Sequence, residues 1–322
     1  MLFDNRRNKA KHIDKMQEEH PYEAPLNVRQ IANLPYGEGG ALSADYYEPM
    51  ALTRADTKPD KSAMRVAILL HDDPYAGSKD DVMPLSMELA RRGMAVFALR
   101  LSVAENKGDP FFCRQLEDVV GMLSSLREDP YKLRIHPETY GATGNKVILM
   151  GVGTGAILAD LVVRLHYNAR IREYFAARCP VVRDYFGIAD TPTVDFAPLV
   201  RIAALVSMSG ALCPTESVDH RLDEWLGRGW ESSILGTYLH GGRWSDAAWP
   251  PMLFITSGAD TLRGQTLAVD AALPTEVRRR VLDYPREDAE GHVLENQFWV
   301  RYPLWEQSKE VNSQIVAFCK GV

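Results

Sequence analysis

A chain of 322 residues with 46% hydrophobic content is long enough to bury a large core, as two domains or as a single α/β domain. Its formal charge of −6, with acidic and basic residues interspersed, argues against a nucleic-acid surface. No apolar run approaches the ~20 residues that a membrane-spanning helix needs.

Residues 1–25 mix both charge signs with few apolar side chains and lack the apolar centre of a secretory signal, so an N-terminal arm is expected. Asn27 to Leu34 and Ala41 to Tyr47 read as strands on either side of the turn-forming Tyr36-Gly-Glu-Gly-Gly. Arg65-Val-Ala-Ile-Leu-Leu-His is a short apolar run that predicts a strand buried on both faces. Val82, Leu85 and Leu89 then recur at helical spacing as far as Gly93, and Ala95 to Leu101 is another buried strand. Phe112, Leu116, Val119, Val120, Leu123 and Leu126 mark a longer helix. Lys146 to Met150, Ile202 to Met208, Met252 to Thr256 and Arg280 to Tyr284 continue the strand series. Ile157, Leu158, Leu161, Val162 and Leu165 predict a helix after the first of these, and a last helix runs from Leu304 to Cys319.

Strand alternating with helix predicts an α/β protein, a mostly parallel central sheet flanked by helices. Residues 170–200 and 214–250, the latter with Trp225, Trp230, Trp244 and Trp249, fit no sheet register. Insertions after strand ends tend to lie over the ligand crevice, which makes them cap insertions on the domain 26–322. The alternative is a peripheral decoration packed by its own aromatics. Four cysteines, Cys113, Cys179, Cys213 and Cys319, are scattered without paired or metal-type spacing, and each reads as a core hydrophobe or an idle thiol in a reduced, cytoplasmic compartment.

The most informative segment is Val147-Ile-Leu-Met-Gly-Val-Gly-Thr-Gly-Ala-Ile-Leu, which reads as strand, sharp turn and helix. Gly151-x-Gly-x-Gly is not a dinucleotide fingerprint, because the third spacing and a later acidic strand end are missing. His71, Asp72 and Asp73 are adjacent, poor geometry for one ion, and no other cluster has metal-ligand spacing. Neither a cofactor nor a metal is expected.

Over about residues 40–320 the chain resembles the carboxylesterase, hormone-sensitive-lipase-like and kynurenine-formamidase-like branch of the α/β-hydrolases. The resemblance rests on Leu42-Ser-Ala-Asp-Tyr-Tyr-Glu-Pro, Leu69-Leu-His-Asp-Asp-Pro-Tyr-Ala-Gly-Ser-Lys-Asp-Asp and Gln115-Leu-Glu-Asp-Val-Val, followed by the Gly151–Gly155 turn, Pro251-Met-Leu-Phe-Ile-Thr-Ser-Gly-Ala-Asp-Thr-Leu and Glu290-Gly-His. It implies the α/β-hydrolase fold, and it implies that Asp260 is the acid orienting His292 as base. Two departures stand out. Gly153 occupies the centre of the Gly-x-Ser-x-Gly turn, so the serine nucleophile is missing, and Thr154 as the next residue is expected to give its backbone N–H and start the helix. Where the family usually carries His-Gly-Gly, whose N–H groups face the oxyanion, this chain has His71-Asp72-Asp73. Either aspartate facing inward disfavours acyl transfer; the other orientation is toward solvent or capping the next turn. Val152 stands where many relatives have an acidic residue, and the pattern reads as natural redirection or loss of activity.

Three functions follow from this reading. The leading one is non-covalent general acid/base chemistry on an apolar small-molecule substrate, an elimination, isomerisation or cyclisation with His292 as base. Gly153 makes room, and Thr154, Val152, Asp72, Asp73 and Tyr75 contact the substrate. The second is hydrolysis of an ester or amide by water that His292 activates. The third is a ligand-binding or interaction protein that keeps the pocket without turnover. No membrane partner is expected, and a homodimer is, since relatives often pair through a sheet edge or helices.

Overall fold

The computed structural model describes residues 22–51, 60, 63–103, 111–130, 132–135, 146–188, 200–210, 220–239 and 249–322. Among them, eight strands form one sheet in the order β1-β2-β4-β3-β5-β6-β7-β8. They are β1 (Val28–Tyr36), β2 (Leu42–Pro49), β3 (Arg65–Leu70), β4 (Met94–Leu99), β5 (Lys146–Val152), β6 (Arg201–Met208), β7 (Met252–Ser257) and β8 (Arg279–Tyr284). β1 and β2 pair antiparallel, β2 joins β4 antiparallel, and every later pairing is parallel. Parallel neighbours need crossovers, and helices supply them. The helices are α1 (Met83–Arg91), α2 (Phe112–Glu128), α3 (Thr154–Tyr167), α4 (Ala169–Ala176), α5 (Pro180–Tyr185), α6 (His220–Leu226), α7 (Ile234–Leu239), α8 (Arg263–Ala272), α9 (Phe298–Arg301) and α10 (Glu306–Lys320).

The continuous apolar strands are sandwiched, and their period of two divides the core into two layers. Val66, Ile68 and Leu70 face one side with residues of α2 and α3, while Ala67 and Leu69 face the other with residues of α1, α9 and α10. Each large side chain so removed from water contributes roughly 1.5–3 kcal/mol. The predicted strands and helices are all present, with ends moved by a few residues. Helix α8 is an addition: Leu262, Thr266, Val269 and Leu273 recur at helical spacing and are buried, but the intervening residues are polar enough to dilute the pattern. The two segments outside the sheet register carry short helices, α4 and α5 in the first and α6 and α7 in the second, while 189–199 and 240–248 lie outside the described residues. So does 1–21, most of the expected arm. No helix among the described residues is long and apolar enough to cross a membrane.

Two polar anchors hold the loops at the C-terminal end of the sheet. The buried Asp118 of α2 accepts hydrogen bonds from Ser102 N and Ser102 Oγ, fixing the chain just after β4. Gln115, one turn earlier, donates to Ser102 O at 2.7 Å and accepts from Trp225 Nε1 at 2.8 Å, which ties α6 to the same place.

Burial pushes Asp118 from an ordinary 3.8 up to about 6, against the lowering effect of the two Ser102 bonds. The folded protein therefore holds this proton to higher pH than the unfolded chain does. The associated stability is full below about pH 4 and is lost as pH rises through about 6, by up to ~3 kcal/mol at this site. Urea unfolding between those limits should show a decline that Asp118→Asn flattens; an equal decline in the variant would assign it elsewhere.

Candidate functional site

Strand β5 ends at Val152 and α3 begins at Thr154, leaving Gly153 alone to reverse the chain. Its φ of 57° and ψ of −116° lie where side chains other than glycine's are strained. The flanking glycines are there for closeness. A Cβ on Gly151 would stand 2.3 Å from Gly155 O, and one on Gly155 would stand 2.5 Å from His71 O, so the turn presses against its own helix and against the end of β3.

The loop that follows β3 is built to deliver one carboxylate to this turn. His71 is buried: its Nε2 accepts from Leu101 N at 3.4 Å, which leaves Nδ1 to donate to Asp72 O at 2.9 Å. Burial holds its imidazole below the ordinary range, in keeping with a neutral structural ring. At the loop's far end, buried Lys79 reaches Asp45 Oδ1 at 2.7 Å, and Asp45 also accepts from Asn33 N at 2.8 Å. Between these pins Asp73 takes a left-handed φ of 64°, its side chain accepting from Tyr75 N at 3.1 Å and its carbonyl from Gly77 N at 2.7 Å.

The result is that Asp72 points inward. Its Oδ1 accepts from Thr154 N at 2.8 Å and from Thr154 Oγ1 at 3.0 Å. Its Oδ2 accepts from Gln297 Nε2 at 2.6 Å. The carboxylate also lies across the space in front of Gly153, where an added Cβ would come within 2.2 Å of Oδ1. Thr154 N is the donor that such a turn offers to a developing oxyanion, and it opens a helix, where backbone N–H groups and the macrodipole favour negative charge. That seat is filled by the protein's own anion, through charge-assisted hydrogen bonds worth roughly 1.5–3 kcal/mol each.

Asp260 is buried just beyond β7. Oδ1 accepts from Leu262 N at 2.8 Å and Oδ2 from Thr256 Oγ1 at 2.9 Å, with Ser209 a further hydrogen-bond partner. Burial raises its pKa above the ordinary carboxylate range; these hydrogen bonds oppose the rise, and the charge of Asp72 adds to it.

The expected pairing of Asp260 with His292 is not formed. The imidazole lies in the tight loop after β8, where His292 Nδ1 is 2.8 Å from Asp288 Oδ2 and Asp288 Oδ1 accepts from His292 N. Its ring stacks on Trp305 at 4.4 Å, and 38% of the side chain is exposed. A carboxylate four residues away satisfies the histidine locally, at less loop-ordering cost than a partner on another strand. The side chain from this region that does reach the turn is Gln297, at a left-handed φ of 61°, its N–H also donating to Ser209 Oγ at 3.3 Å. Sequence reasoning followed the histidine and passed over it. The signal available was position alone, a polar residue directly before the apolar Phe298-Trp299-Val300.

The remaining expected contacts divide. Thr154 lies at the site, its hydroxyl committed to Asp72. Val152 is a correction: it is 1% exposed and packs in the core layer with Met150 and Met208, because the alternation of β5 turns it away from Gly153. Tyr75 rests edge-on against Phe111 at 5.2 Å, at the side of the loop. Asp288, Glu290 and His292 bring one ligand atom each within 4.8 Å of one another, a grouping not evident in the sequence reading, and among the described residues they are the set able to hold a metal. The Asp288–His292 bond accounts for their closeness without one.

No protein-family profile matches the chain, and no curated protein matches it. Solved structures do. An inhibited esterase B from Lactobacillus rhamnosis superposes with a TM-score of 0.70 at 18% identity, covering 97% of this chain and 93% of that one. An esterase from Pyrobaculum calidifontis gives 0.62 at 19% identity, over 100% and 94% of the two chains. An esterase of the bacterial hormone-sensitive lipase family gives 0.56 at 17%, over 99% and 92%. At such identities the likeness is one of architecture, and with the parallel sheet, its flanking helices and the sharp turn after β5 it establishes that this chain has the α/β-hydrolase fold.

Proposed function

We propose that this chain binds a small organic ligand in the crevice at the C-terminal end of its sheet and does not hydrolyse it. One observation carries the reading: Asp72 holds the Thr154 N–H and fills the space in front of Gly153. Acyl transfer by this fold needs a nucleophile, a base and a vacant oxyanion seat. Here Gly153 offers no hydroxyl, Gln297 stands at the turn in place of an imidazole, and a carboxylate occupies the seat. The three are mutually consistent. A serine at 153 would collide with Asp72, whereas glycine leaves room for it. Water activated by His292 is disfavoured by position: Gln297, and not this imidazole, is the side chain after β8 that contacts Asp72 at the turn, and His292 is 38% exposed.

A second reading, non-covalent proton transfer, is favoured by Asp260. Burial, with an addition from the Asp72 charge, raises its pKa above the usual carboxylate range, which on this reading makes Asp260 the proton-transfer group without histidine. On this reading, turnover of a substrate found by metabolite profiling survives His292→Ala and disappears in Asp260→Asn. Loss in His292→Ala would return the base to the imidazole.

The hydrolytic question has a direct test in p-nitrophenyl butyrate cleavage and fluorophosphonate labelling. The unaltered chain and Gly153→Ser should both be silent, because the single serine meets Asp72 and has no base. Combining Asp72→Gly, Gly153→Ser and Gln297→His should raise cleavage over the single variant by at least ~10²-fold, the low end of what a positioned general base supplies. Rapid cleavage by Gly153→Ser alone, or labelling of Thr154 in the unaltered chain, would refute the proposal.

A further inference from the structure

The cysteines read as idle in the sequence are not all isolated. Cys113 stands in the first turn of α2, Cys179 caps the start of α5, and the two helices pack together. Their neighbours fix the approach. The ring of Phe112 meets that of Phe175 at 6.2 Å, and Phe175 O accepts the backbone N–H of Cys179 at 2.7 Å. The two thiols end in side-chain hydrogen-bonding contact with each other, and both are unbridged. Their settings differ: Cys179 is fully buried, whereas Cys113 is partly exposed.

We propose that Cys113 and Cys179 are a reversible redox pair, closed to a disulfide by a small peroxide that enters at Cys113. In the first step the Cys113 thiolate attacks one peroxide oxygen, the O–O bond breaks and hydroxide leaves, giving a sulfenic acid. In the second, the Cys179 sulfur attacks the Cys113 sulfur, the S–O bond breaks and the oxygen departs, becoming water with the proton of Cys179. Two thiols are oxidised and one hydrogen peroxide is reduced to two waters. The difference in exposure suits these roles: the partly exposed Cys113 is the thiol that a small peroxide can reach, and the buried Cys179 lies against it to close the bridge. The bridge would staple the insertion that carries α4 and α5 to α2, the helix whose Gln115 fixes the chain after β4 and holds Trp225 of α6.

The test is peptide mapping without reductant, on the intact chain treated with stoichiometric hydrogen peroxide and then alkylated. The expected product is one cross-linked peptide pair joining Cys113 to Cys179, reversed by dithiothreitol, with Cys213 and Cys319 alkylated. In Cys113→Ser, a change at the less buried position, Cys179 should stay alkylatable under the same treatment. Retention of all four thiols, irreversible oxidation of Cys113 beside a free Cys179, or a bridge from Cys113 to Cys213 or Cys319 would each overturn the proposal.

Discussion

The site is organised around one hydrogen-bonded anion, the Asp72 carboxylate on the backbone N–H of Thr154. An N–H at the start of a helix is unsatisfied by the helix itself, and here a side chain from the neighbouring strand's loop supplies its acceptor. Several features elsewhere in the chain serve that contact. Gly153 leaves room for the carboxylate, and Gln297 donates to its second oxygen. His71 and Lys79 pin the loop at its two ends. Three non-glycine residues around the site, Asp73, Ser209 and Gln297, have left-handed backbones. Such conformations cost roughly 1–2 kcal/mol each, and persist because the bonds around them over-determine the geometry.

The same contact separates fold from chemistry. Oxyanion stabilisation is worth several kcal/mol to an acyl-transfer enzyme because its donors wait for charge that appears in the transition state. Donors that already hold a carboxylate have nothing left to offer, and a substrate oxyanion would have to displace a tethered competitor. The architecture can thus match esterases over almost its whole length while, at the turn, the chain's own carboxylate already holds the N–H of Thr154.

Much of this was legible in the sequence where the physics is local. Strands buried on both faces, such as Arg65–Leu70, read as unbroken apolar runs, and amphipathic helices such as Phe112–Glu128 as apolar stripes. Gly153 and the paired aspartates were visible as departures from a pattern. What could not be read was direction. Whether Asp72 faces inward depends on the left-handed backbone of Asp73 and on the anchors at His71 and Lys79, which are set by β2 and β4. The histidine misled for a related reason: a carboxylate four residues earlier captured His292, leaving Gln297, with no letter to advertise it, to reach the turn.

A high-resolution crystal structure of the unliganded chain is the most direct measurement, read at one atom, the backbone nitrogen of Thr154. Density for the Asp72 carboxylate within hydrogen-bonding distance of that nitrogen, with the Gln297 amide on its other oxygen, is the result this account requires. A water or a buffer anion in that seat, with Asp72 turned to solvent, would contradict it.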